Sequence, residues 1–338
     1  MAARTDRREA VAAGSGRTSP RQVTVPPTMA HPASVPGARA SARHDVAPGP
    51  GLVDLHLHTT ASDGTCSPVE LVRRVACAGI RAFSVTDHDT VDALAEVAAL
   101  AGREGLEVVP GIEISAMRDG RDVHVLGYGF DPSSGPLLAF LRDQRADRVD
   151  RVRRMAARLA DLGAPVDVAP LLECARRHPG RSIGRPQVAR ALVEAGHAVS
   201  VQEAFDRYLA SRRPAYVARR AVSPAEVVSL IVAARGIASL AHPGLLGRDA
   251  WISEFAGAGL AAVEAYHCDH DDAATARYRG LATALGLAVS GGSDYHGEAS
   301  GRPGALGSVS LPSVDYERLL ARAREAGCPC LPARPRRG

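Results

Sequence analysis

Lysine is absent from the 338 residues, so all 41 basic side chains are arginine. We give this bias no functional weight. Aromatic residues are also scarce, at 4%, but a 46% hydrophobic content leaves ample aliphatic material for a core. The net charge is only +4 and arises largely in the first 48 residues, which argues against a dedicated nucleic-acid groove. No apolar run is long enough to cross a membrane. The six cysteines (Cys66, Cys77, Cys174, Cys268, Cys328 and Cys330) lack zinc-finger spacing, and Cys328-Pro-Cys330 is not a redox CxxC. Free thiols in the cytoplasm are expected. Arg7-Arg8 is followed by "EAVAAGSG" rather than an apolar core, so export is not expected.

Along the chain, residues 1–49 are rich in Ala, Pro, Arg, Ser and Gly without periodicity, the composition of a disordered extension in which His31 and His44 are solvated. From residue 51 short apolar strands alternate with amphipathic helices: "GLVDLHLH" precedes "SPVELVRRVACAG", where Ser67 is a plausible N-cap and Pro68 the first helical residue. About seven such β/α units imply a parallel sheet with both faces covered, closed or nearly closed into a barrel. We assign 50–131 and 222–327 to its two parts, 132–221 to a helical insertion, and 328–338 to a loose tail. The insertion opens on a long amphipathic helix whose arginines between 142 and 158 read as a solvated face.

The polar residues that interrupt these strands are of one chemical kind: His56, His58, Asp63, His88, Glu113, His124, His242, Asp294 and His296. In a parallel barrel the C-terminal strand ends converge on one face. Six histidines and three carboxylates meeting there, buried and unpaired, would each cost about 1–3 kcal/mol. Divalent ions satisfy them together, since imidazole and carboxylate suit Zn, Mn and Fe. Nine ligands exceed the needs of one ion, so two or three are expected, with a carboxylate such as Glu113 as the bridge.

These residues stand in "DLHLHTTASDG", "VTDHDT", "GIEIS" with His124, "LAHP" and "GSDYH", and the set resembles the motifs of the PHP family, named for the polymerase and histidinol phosphatase. The resemblance covers residues 52 to about 310. It implies a distorted seven-stranded β/α (TIM-like) barrel holding a trinuclear site. His56, His58, Glu113 and Asp294 would hold one ion, Glu113, His124 and His242 a second, and Asp63, His88 and His296 a third. Glu113, Asp294 and His242 would also serve catalysis. The insertion is similar to that of stand-alone nucleotide phosphoesterases, and "GRPQVARAL" resembles a motif whose arginine grips phosphate, which points to Arg185. Gln187 stands where such relatives often carry histidine.

The activity implied is metal-dependent hydrolysis of a small phosphate ester or short oligonucleotide, with no stable nucleic-acid complex and no membrane partner. A phosphomonoesterase for a metabolite such as histidinol phosphate and a non-catalytic metal-binding module remain as alternatives. Outside the nine positions, His267 is open between substrate contact and structure, His270 reads as structural, and His178 and His197 as surface residues.

Overall fold

A computed structural model describes residues 51–300 and 304–332; the expected disordered extension lies outside them. Eight strands run β1 (Leu52–Leu57), β2 (Ile80–Val85), β3 (Glu107–Val108), β4 (Gly111–Arg118), β5 (Arg121–Tyr128), β6 (Ile237–Leu240), β7 (Ala262–Tyr266) and β8 (Ala288–Gly291). Helices α1 (Pro68–Cys77), α2 (Leu94–Arg103), α7 (Pro224–Ala233), α8 (Pro243–Leu246), α9 (Ala250–Gly257), α10 (Asp272–Ala284) and α11 (Ser313–Glu325) accompany them. Ser67 caps α1 by accepting from the Glu70 N–H, and Pro68 opens the helix where its missing donor costs nothing. Outside β3, the apolar residues of the strand interiors are buried, as a sheet covered on both faces requires.

The ladders form two open sheets, β1-β2-β3 and β4-β5-β6-β7-β8, rather than the single closed barrel of seven strands expected. Nor is the second sheet all parallel, because β5 runs antiparallel to both β4 and β6. Its link to β4 is the dipeptide Asp119-Gly120, both residues at positive φ, the two-residue turn that right-twisted hairpins prefer. The two sheets meet twice, each time through one parallel bridge: Leu57 with Tyr295, and His88 with Glu113. The amides at these seams are satisfied, His58 N–H by the Tyr295 carbonyl and Asp89 N–H by that of Glu113.

Between β5 and β6 lie α3 (Gly135–Asp161), α4 (Ala169–Arg177), α5 (Arg185–Glu194) and α6 (Val201–Ala204), the last continuing into a π-helical turn at Phe205–Leu209. These helices bury an apolar cluster of their own, including Val152, Met155, Leu159, Val188 and Leu192. Of the α3 arginines, Arg142, Arg153, Arg154 and Arg158 are exposed as expected, but two others are not. Arg148 and Arg151 are buried, because Arg148 pairs with Asp89 at 2.7 Å and Arg151 donates twice to the Val217 carbonyl. Nor is the described part of the tail loose: Cys328 and Leu331 pack against the main core, where Gly129 leaves them room. All six cysteines are free, and no described helix is long and apolar enough to cross a membrane.

Candidate metal centre

Alternation along β1 puts Asp54, His56 and His58 on one face, and all three are fully buried. Asp54 accepts from the Ser293 N–H and hydroxyl at 2.9 and 2.6 Å, tying β1 to the segment that carries Asp294. Burial, only partly offset by these bonds, pushes its carboxyl up to about 6. Past β1 the chain folds back so closely that a Cβ on Gly64 would lie 2.5 Å from the His58 carbonyl, so only glycine fits. Asp87 fixes this loop by accepting from Thr59 and Ser62, which delivers Asp63 to the basin.

At the centre stands Glu113 of β4. Its Oε2 lies 3.2 Å from His56 Nε2, His58 Nε2 and His88 Nδ1, while its Oε1 lies 2.8 Å from His124 Nδ1 and 3.2 Å from His242 Nε2. Asp294 Oδ1 reaches His58 and His56 at 3.1 and 3.3 Å, and Asp63 Oδ1 reaches His296 at 3.2 Å. All nine residues singled out in the sequence therefore share one basin. Their donor atoms cluster as His56, His58, Glu113 and Asp294; as His58, Asp63, His88 and His296; and as His88, Glu113 and His124. His58 and His88 thus stand between groups that the family resemblance keeps separate.

The donors fit divalent cations. Ligands about 2.0–2.2 Å from an ion at tetrahedral or octahedral angles stand about 3 Å apart, the spacing seen around Glu113. Several buried atoms, among them both nitrogens of His58, Nδ1 of His88 and of His124, and Oδ2 of Asp63, make no well-directed hydrogen bond. Polar atoms left so in a protein interior await an ion or water. The electrostatics agree. Burial opposes ionisation of Glu113 and Asp63, yet the surrounding imidazoles overcome it and hold both carboxyls well below the ordinary range. Burial likewise opposes protonation of His56 and His58, but carboxylates prevail; His56 is held well above its usual value and His58 at about 9. For His88 and His242 burial wins, and both are lowered. The basin thus holds cationic charge on some histidines against its carboxylates, charge that ions would supply. Asp89, His242 and Asp294 sit at φ of 52°, 27° and 53°, a conformation costly outside glycine and concentrated at functional sites.

Glu264 escaped the sequence analysis. Fully buried in β7, it accepts from His56 Nδ1 at 2.8 Å and from the His242 N–H at 2.8 Å, so it orients one imidazole and anchors the turn of another. A carboxylate inside "LAAVEAYH" was the signal available. His267, also buried, accepts from the Asp269 N–H and faces Asp294 Oδ2 at 3.6 Å; burial opposes its charge, but Asp294 and its other neighbours raise it to about 10. His270 bonds backbone groups at both ring nitrogens, His178 is exposed and His197 half-buried.

Arg185 is not open to solvent as a lone phosphate hook. Its Nη2 binds Asp122 Oδ2 at 2.6 Å, Arg219 takes the other oxygen at 2.7 Å, and Phe205 and Tyr216 flank the guanidinium. Gln187 caps the start of α5 through the Gly184 N–H and donates to the Ser62 carbonyl at 2.7 Å. It therefore braces the loop that carries Asp63. A cleft of 490 Å³ opens beside the basin, lined by His124, His242 and Asp294 on one side and by insertion residues, Phe205 among them, on the other.

A buried basin of imidazoles and carboxylates at the strand ends of a mixed α/β fold suits metal-dependent hydrolysis, and the comparisons give the class, a metal-dependent phosphoesterase. Residues 54–208 match the PHP domain model. The chain is 33% identical over 270 residues to the 3′,5′-nucleoside bisphosphate phosphatase of Chromobacterium violaceum, covering 78% of this chain and 93% of that one. It is 33% identical over 253 residues to the 5′-3′ exoribonuclease Rnm of Escherichia coli, covering 72% and 85%. A crystal structure from Bifidobacterium adolescentis, described as a metal-dependent phosphoesterase, superposes with a TM-score of 0.74 at 30% identity, covering 81% of this chain and 97% of that one. The chain belongs to the PHP family.

Proposed function

We propose that the protein releases phosphate from nucleotides, with nucleoside 3′,5′-bisphosphates or 5′-phosphorylated short oligoribonucleotides as substrates, and that two or three divalent ions (Mn, Zn or Fe) are held by His56, His58, Asp63, His88, Glu113, His124, His242, Asp294 and His296. The observation that carries the reading is the cleft, which joins the basin to the insertion and leaves room for a nucleoside beside a phosphate in the basin. The names of the two relatives support the substrate class. Bound ions supply Lewis acidity there, polarising phosphoryl oxygens and acidifying water.

The chain's own groups do the rest. Glu113 holds two sides of the basin together through its separate oxygens, and Asp294 and His242 bound the cleft where the phosphate enters. His267, buried behind Asp294, acts on the substrate through that carboxylate. Arg185 keeps further N–H donors beside the one given to Asp122, and offers them to a phosphate oxygen. We also read the two sheets as one distorted seven-stranded barrel with β3 outside the ring, a view supported by the two single bridges. The free thiols fit a reducing cytoplasm.

A phosphate-release screen with added Mn²⁺ tests the reading. Adenosine 3′,5′-bisphosphate and 5′-phosphorylated oligoribonucleotides are expected to lead, ahead of sugar phosphates. Histidinol phosphate ahead of every nucleotide would overturn it.

A further inference from the structure

The lining of the cleft has features that the chemistry of phosphate does not explain. Val201, Phe205, Ala210 and Leu245 line it, an apolar surface beside a centre built of charges. Leu245 is 59% exposed although it stands three residues after His242, and its N–H is tied to the His242 carbonyl. Phe205 opens the π-helical turn, where the Ala210 N–H bonds the Phe205 carbonyl five residues back at 2.9 Å. Such turns insert an extra residue, re-aim the side chains beside them, and concentrate at functional sites. One face of the Phe205 ring carries the Arg185 guanidinium, 5.9 Å from its centroid, which helps fix the ring in place. Asp206 lines the same cleft; Gln202 donates to its Oδ1 at 3.1 Å, which leaves the carboxylate further acceptor capacity.

We propose that these residues form the nucleobase subsite: Phe205 and Leu245 hold the base by its faces, and Asp206 selects bases that carry an amino group where hypoxanthine and uracil carry a carbonyl. The inference rests on the nucleotide reading above and specifies it. An aromatic ring holds any base by its π-face, so Phe205 gives affinity without choosing among bases. A carboxylate is an acceptor only, so it favours an amino hydrogen and disfavours a carbonyl at the same position. Adenine and cytosine are therefore accepted ahead of hypoxanthine and uracil.

The test compares kcat/KM, in the Mn²⁺-loaded full chain, for three 3′,5′-bisphosphates: adenosine, inosine and an abasic tetrahydrofuran analogue. Adenosine is expected to exceed the abasic compound by roughly tenfold or more, the scale of one base stacked on one ring. Phe205→Ala should erase most of that ratio, and Phe205→Leu, which keeps an apolar side chain in the packing, should erase it too. Asp206→Asn should bring adenosine and inosine close together while leaving the advantage of both over the abasic compound. Equal turnover with and without a base, or an adenosine-to-abasic ratio untouched by both Phe205 variants, overturns the subsite alone. No release from any of the three, nor from a 5′-phosphorylated oligoribonucleotide, overturns the nucleotide reading, and the subsite with it.

Discussion

Five imidazole nitrogens lie within 3.2 Å of the Glu113 carboxylate, on both of its oxygens. A side chain so placed serves more than one ion, so Glu113→Gln is expected to lower metal content below that of a His124→Gln variant; elemental analysis after reconstitution reads the difference. Glu264 touches no reacting atom, yet it fixes the orientation of His56. Glu264→Gln should weaken metal affinity by about 10–100-fold, measured by competition with a chelator. The histidines also set a pH dependence. In the metal-free fold His58 stands near 9 and His267 near 10, against 6.5 in the unfolded chain. A raised pKa contributes stability that is complete below 6.5 and is lost as pH rises through 9 and 10. Chelated protein should therefore melt at progressively lower temperature from pH 6.5 to 9.5, and metal-loaded protein much less so, because ions then take the place of protons. A flat profile for the chelated protein would sink this account. The nine basin residues were legible as polar interruptions of apolar strands. Glu264 interrupts its strand in the same way but pairs through hydrogen bonds, and spacing along one chain does not show what faces it from another strand.

Among the elements, α3 shows where sequence pattern stops being informative. Its arginines recur along a helix, and the pattern does not tell the exposed Arg142, Arg153, Arg154 and Arg158 from Arg148, which is buried against Asp89. What decides is the loop after β2, where Asp89 accepts from the Ser115 N–H and pairs with Arg148. Removing one partner of a buried pair strands the other, so Arg148→Ala is expected to cost about 3–5 kcal/mol in urea unfolding, whereas the exposed Arg154→Ala should cost under about 1 kcal/mol. The N-cap and first-turn proline of α1 were readable because capping is local. The reversal of β5 also had a local signal, Asp119-Gly120, but the alternation of strands and helices elsewhere favoured the parallel reading.

For the whole molecule, the two sheets touch through single bridges, and both bridges adjoin basin residues: Leu57–Tyr295 lies beside His58, Asp294 and His296, and the other is His88–Glu113 itself. Ions in the basin would pin both seams, so chelation should lower the melting temperature. Restoring Mn²⁺ at about 100 times its dissociation constant should return about 2.7 kcal/mol. Thermal melts over a Mn²⁺ titration check this, and a melting temperature indifferent to metal would contradict it. The sheet count was not legible, because closure depends on single long-range bridges that leave no periodic trace.

The seam at Leu57–Tyr295 also fixes an order of events during synthesis. His56 and His58 leave the ribosome early, Glu113 and His124 follow, and Asp294 and His296 arrive more than two hundred residues after His58. Domains form in the order they are made, at about 5–20 residues per second, so the early histidines spend roughly ten seconds or more without their last partners. A ribosome that stops before residue 294 releases a chain with an open seam and an incomplete basin. A complete set of basin ligands therefore requires that translation passed residue 296.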